Sequence, residues 1–124
     1  MASTPEGKVK AAVKKELAKY PETYAVWPVP SGYGPSTLDC VGCHYDRFFA
    51  VETKAPGKTL TPRQKQMVAA IKAAGGMAFV IDDVDAIAGL AWWLSLTKTQ
   101  YRRLRRATSV IIGQAHGHPH KQTT

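Results

Sequence analysis

Apolar positions at helical spacing open the chain. Val9, Ala12, Val13, Leu17 and Tyr20 share one face of a helix and Glu16 sits inside the same stripe, while Lys8, Lys10, Lys14, Lys15 and Lys19 fall mostly on the other faces. Ser3-Thr4-Pro5-Glu6 carries start signals: a capping serine, a proline suited to the first turn, and a glutamate three positions after the cap. The pattern predicts a helix to about Tyr20, stopping before Pro21. Aromatic and β-branched residues then predict a strand over Tyr24–Val29, with Pro30–Pro35 as a loop. Two further strands, Thr37–Val41 and Phe48–Lys54, are predicted on either side of a turn through Gly42 and Asp46.

Thr61–Ala74 reads as a second helix, with a capping threonine, a first-turn proline, apolar Met67, Val68 and Ile71, and a Gly75-Gly76 stop. Met77–Ile81 is an apolar run of strand length. Asp82 and Asp83 open a third helix through Leu90, Trp93 and Leu94, with these acids as cap and first-turn residues. Adjacent Trp92 and Trp93 cannot both face one core. Lys98–Arg106 reads as a basic helix. The order, a hairpin-like run followed by a strand-helix-strand crossover, predicts a mixed sheet with helices on its faces, an α/β or α+β sandwich.

At 124 residues the chain has room for one domain, placed at 1–112 with a polar, flexible tail at 113–124. Its 44% hydrophobic content supports a core without metal or disulfide staples. The apolar runs fall far short of a bilayer span, and the first residues lack the apolar stretch of a secretory signal. The expectation is a cytoplasmic protein with no membrane partner, in which Cys40 and Cys43 are reduced thiols. Seventeen basic side chains against nine acidic give a net charge of +8, of which +6 lies between Ala86 and Thr124, where there is no acid. Arg102, Arg103, Arg105 and Arg106 in that stretch, with Lys58, are candidate phosphate contacts.

Strand alternation puts Glu52 and Lys54 on one face of the sheet, and Asp39 comes opposite Glu52 if its strand pairs with Glu52's. The first helix would bring Glu16 toward the same place. Three carboxylates around one lysine are costly to bury unless a divalent cation joins them. Hard oxygen ligands that leave positions for water and a phosphate oxygen are how Mg²⁺ is held in phosphoryl-transfer sites. The plainer alternatives are an exposed Glu52–Lys54 ion pair and a Glu16 carboxylate paired with Lys15 or Lys19.

Asp39, then Glu52-Thr53-Lys54, Thr61-Pro62-Arg63-Gln64 opening a helix, Gly75-Gly76 and an apolar strand resemble the PD-(D/E)XK nuclease superfamily, and within it the VRR-NUC (virus-type replication-repair nuclease) group. The resemblance spans roughly Lys8 to Asp83. It implies a restriction-endonuclease-like αβββαβ core, dependence on Mg²⁺ with Mn²⁺ able to substitute, and hydrolysis of DNA phosphodiesters in a bacterial or phage-infected cell. It further implies that Asp39, Glu52, the backbone carbonyl of Thr53 and Glu16 serve the metal, that Lys54 is the catalytic lysine, and that Gln64 is the glutamine at the start of the following helix. Leu38 stands where the family usually has proline, which leaves Asp46 as a substitute for Asp39. Small members often act as homodimers or on branched or nicked DNA. Cys40-Val-Gly-Cys43-His44 also matches the pattern of covalent haem attachment, and with His116, His118 and His120 it could build a structural zinc site. The competing class is therefore a non-catalytic nucleic-acid-binding protein with structural zinc.

Overall fold

The computed structural model describes residues 4–30, 32 and 34–104. Helix α1 covers Pro5–Leu17, with strands β1 Thr23–Val26, β2 Cys40–His44 and β3 Arg47–Thr53 after it. Helix α2 Pro62–Ala73, strand β4 Met77–Ile81, a 3-10 turn Val84–Ile87 and helix α3 Ala88–Ser95 complete the order. The four strands form one mixed sheet in the order β1-β2-β3-β4, and the protein is α+β. The first two pairings are antiparallel, and β4 joins β3 in parallel through the α2 crossover.

Local chemistry sets most of these bounds. Thr4, not Ser3, caps α1, its hydroxyl accepting from the Gly7 N–H at 3.0 Å, with Pro5 in the first turn. The helix ends at Leu17, one turn short of the predicted Tyr20. β1 is shorter than predicted because Pro28 and Pro30 follow so closely.

The largest departure is in β2. Gly42, predicted as a turn, lies mid-strand, where a Cβ would overlap the Tyr24 carbonyl oxygen and sit 2.9 Å from Ala25 Cα. Glycine is needed there because the β1 backbone passes too close for a side chain. Asp46 keeps its predicted place in the turn, which is the two-residue Tyr45-Asp46, both at positive φ (50° and 57°), the conformation that matches the twist of a tight hairpin. The third helix also differs at its start: the Asp83 carboxylate accepts from the Asp85 N–H, which closes a 3-10 turn before α3 begins.

Cross-strand partners share a face. Cys40, Gly42 and His44 lie with Phe49, Val51 and Thr53 on one side, where the Phe49 and Phe79 rings stand 5.7 and 5.5 Å from the ring of Trp93 on α3. Val9, Val13 and Leu17 of α1 are buried with them. Trp93 is buried whereas Trp92 is 56% exposed, the division expected of adjacent tryptophans. The opposite face carries Ala50 and Glu52 and is covered by α2, with Ile71 and Phe48 meeting around Gly76. Helix α2 has the predicted capping threonine, Thr61, which Gln64 joins in a capping box, and Gly75 at φ 93° turns the chain out of it.

The chain divides after Leu94 into two compact units. In the second, residues 98–104 are helical, opened by a capping box in which the Thr97 hydroxyl accepts from the Gln100 N–H and the Gln100 side chain accepts from the Thr97 N–H. Residues 105–112 of the predicted domain and the 113–124 tail lie outside the described residues. No helix among the described residues is long and apolar enough to cross a membrane.

Candidate active site

β2 begins at Cys40, paired with Val51, so Asp39 leaves the sheet beside Glu52. The two acids are tied together through the Asp39 backbone and through Thr53, the neighbour of Glu52. The Asp39 N–H donates to Glu52 Oε1 at 3.1 Å, and Asp39 Oδ2 accepts from the Thr53 N–H at 2.9 Å and the Thr53 hydroxyl at 2.7 Å. Among the described residues Asp39 Oδ1 has no partner.

Gln64 reaches the same point from α2. Its Oε1 accepts from the Thr61 N–H at 3.0 Å as half of the capping box, which leaves the amide nitrogen to donate to Glu52 Oε2 at 2.8 Å. The cap thus fixes the orientation of the amide, and the amide fixes the carboxylate. Lys54 follows on β3's line, with its Nζ 4.0 Å from Glu52 Oε2 and its side chain only 14% exposed. The exposed-ion-pair alternative for these two is therefore excluded on burial: Glu52 is 4% exposed.

Burial, and next the Asp39 charge, push the Glu52 carboxyl above its usual range, against the Asp39 N–H and Lys54, which favour ionisation; Glu6 adds a further upward push. The site is short of positive charge. Hard oxygen donors on two interlocked acids, one of them held up in pKa, are what a divalent cation would relieve, so the residues fit Mg²⁺ or Mn²⁺ held by Asp39 and Glu52. Among the described residues no cluster of three or more His, Cys, Asp or Glu side chains is assembled, so water and phosphate oxygens would complete the coordination.

Glu16 is not brought to this cluster. It is buried near the C-terminal end of α1, where it accepts from Lys19 Nζ at 3.0 Å and from the Tyr20 hydroxyl at 3.2 Å. Ten residues separate it from Glu6, about 15 Å along a helix axis, and Glu6 is the acid of α1 whose charge acts on Glu52. Sequence reasoning took Glu6 for a capping-box residue and missed its nearness; with Thr4 as the cap, that assignment falls. Asp46 is also remote from the acids, since it sits in the β2–β3 turn at the far end of the hairpin. Lys58 is exposed in the Ala55–Lys58 turn after Lys54, and Arg102 and Arg103 are exposed on the helical segment 98–104. Arg105 and Arg106 lie outside the described residues.

Cys40 and Cys43 point to opposite faces of β2, one buried and one exposed, so they do not form a two-cysteine chelate. Burial, then the Asp39 charge, push the Cys40 thiol up to about 12, with Lys14 opposing. His44 is buried between Tyr45 and Trp93, its Nδ1 2.7 Å from the Thr23 hydroxyl, and burial lowers its pKa. His116, His118 and His120 lie outside the described residues.

A cleft of about 450 Å³ opens beside Asp39, lined by Pro28, Pro30, Pro35, Gly32 and Gly34 and, from α2, by Arg63. No protein-family profile matches the chain, and no curated protein sequence is significantly similar to it.

Proposed function

We propose that the protein is a Mg²⁺-dependent DNA nuclease with a restriction-endonuclease-like core of the PD-(D/E)XK, VRR-NUC type, acting on branched, nicked or otherwise structured DNA in the cytoplasm of a bacterial or phage-infected cell. The observation that carries this reading is the interlocked Asp39–Glu52 pair, with Lys54 and Gln64 gathered on it at one end of the sheet.

A bound divalent ion would neutralise the scissile phosphate and lower the pKa of the attacking water. The chain's own residues do the rest. Thr53 holds the Asp39 carboxylate through two hydrogen bonds, leaving Oδ1 for a ligand. Gln64 holds Glu52 in a single orientation, and the Thr53 carbonyl, next along the chain from Glu52, is the third oxygen donor in this reading. Lys54 supplies the cation that orients the water and offsets charge on the pentavalent phosphorus as the new P–O bond forms and the P–O bond to the leaving sugar breaks. The exposed Arg102 and Arg103, with Lys58, attract the polyanion. The chain is too small to enclose a duplex alone, which leaves a homodimer open to it.

The test is a panel of single-stranded, linear duplex, supercoiled, flap and four-way-junction DNA incubated with Mg²⁺, Mn²⁺ or EDTA. Metal-dependent cutting of at least one form is expected, abolished in Glu52→Ala and Asp39→Asn with the fold and much of the DNA affinity intact. Lys54→Ala should lose cleavage and keep the metal. Undiminished turnover in Glu52→Ala, or DNA binding in EDTA with no cleavage under any ion, would overturn the enzyme reading in favour of a binding protein.

A further inference from the structure

We propose that the cleft beside Asp39 seats an unpaired nucleotide of the substrate strand, with Arg63 gripping its phosphate. The proposal rests on the nuclease reading and adds to it the strand form that enters and the residue that positions it.

The first argument is size. About 450 Å³ lies in the range of pockets that hold one small molecule, and it suits a nucleotide. It does not suit a duplex, whose major groove alone is about 12 Å wide. The second is the wall. Pro28, Pro30 and Pro35, which share the lining with Gly32 and Gly34, have no N–H, so that side offers an apolar surface to a base or sugar with few donors to satisfy.

The third argument is charge. Arg63 makes no hydrogen bond or ion pair among the described residues, although it lines the same cleft as the Asp39 carboxylate. Its guanidinium is the fork that matches a phosphate with two parallel hydrogen bonds. It adjoins Gln64, whose amide is bonded to Glu52, so a phosphate held by Arg63 has a fixed place relative to the acids. Trp27 immediately precedes Pro28 of the proline wall, and Lys14 and Lys10 hold their ammonium groups 5.0 and 5.9 Å from its ring centroid, so cations stand beside the segment that leads into the cleft wall.

The experiment measures binding and cutting separately. Fluorescence anisotropy in EDTA compares a labelled oligothymidylate, a splayed fork and a blunt duplex on wild type, Arg63→Ala and Arg63→Lys. Arg63→Ala should lose about tenfold or more on the oligothymidylate and the fork, the scale of a lost charge-assisted hydrogen-bond pair, and less than about twofold on the duplex. Arg63→Lys should recover part of the loss, since it restores a charge but not the fork. Equal losses on duplex and single strand would overturn the proposal by making Arg63 a general cation, and no loss on any probe would remove it from the path. Cleavage with Mn²⁺ is scored independently. Wild type that cuts nothing sinks the nuclease reading, whereas wild type that cuts while Arg63→Ala binds and cuts the fork normally sinks only the cleft assignment.

Discussion

Replacing Gln64 with glutamate separates the two jobs of this side chain. Glutamate at the third position of a helix completes a capping box as well as glutamine does, so the bond from the Thr61 N–H survives. A new negative charge near a helix N-terminus ordinarily adds about 0.3–1 kcal/mol of stability. On a bland surface position the variant would therefore be slightly more stable. At this site the amide donor to Glu52, 2.8 Å away, is replaced by a second carboxylate. A hydrogen bond to a charged group is worth about 1.5–3 kcal/mol, and two like charges about 4 Å apart repel by up to about 4 kcal/mol at an effective dielectric of 20. Uptake of one proton by the pair caps the second term, so the net loss is about 2–4 kcal/mol at neutral pH.

For a chain of this size that is a fall in Tm of about 8–16 °C. Circular dichroism melts in EDTA measure it. The pH dependence has a definite sign. Proton uptake by the folded pair means a folded pKa above the unfolded one, so the associated stability is present at low pH and lost as pH rises through the folded pKa. The deficit relative to wild type should shrink as pH falls toward about 5, the upper reach of ordinary carboxylate titration. Mn²⁺ should also restore more stability to the variant than to wild type, because it binds a site with one more acid. An unchanged or raised Tm at neutral pH would refute the claim that Gln64 holds Glu52.

Gly42→Ala should lose about 3 kcal/mol or more by urea denaturation, because its Cβ would overlap the β1 backbone; a loss within about 0.5 kcal/mol would contradict that packing. Ellman's reagent on the native protein near neutral pH should modify Cys43 quickly and Cys40 only after denaturation, since burial pushes the Cys40 thiol up to about 12; two fast thiols per chain would refute this. Neutralising Arg102, Arg103, Arg105 and Arg106 together should weaken DNA binding at all sequences and lower the salt slope by about 0.9 per lost phosphate contact, whereas an unchanged slope would return these residues to solvent-facing surface.

The parts of the fold legible in the sequence were those written in local chemistry. Thr61, Pro62 and Gln64 announce the start of α2 and Gly75 its end, and between them they fix the crossover that sets β4 beside β3. The strand-face argument for Glu52 and Lys54 needed only the two-residue period, and the placement of Asp39 opposite Glu52 needed the hairpin pairing besides. What failed depended on neighbours far along the chain. Gly42 looks like a turn residue until the Tyr24 backbone is placed against it, and Tyr45, an unfavourable residue for positive φ, gives no local hint that it shares the turn with Asp46.

The acid of the first helix shows a different limit. Helical periodicity assigns an angle around the axis, and on that measure Glu16 was correctly placed on the buried stripe. Periodicity says nothing about position along the axis, and there the outcome is decided by which end of α1 lies over the acid pair. The C-terminal end turns into β1 through Tyr20, whose N–H donates to the Leu17 carbonyl, and Glu16 is consumed by Lys19 and the Tyr20 hydroxyl in that turn. The N-terminal end brings Glu6 within electrostatic reach of Glu52. On the same helix Lys10 and Lys14, four and eight residues on, lie over Trp27, the residue before Pro28 of the cleft wall. One helix therefore carries an acid that acts on the carboxylate pair and cations beside the start of the wall; under the proposed nuclease reading, those cations would draw DNA toward a centre whose carboxylates repel it until a metal ion is bound.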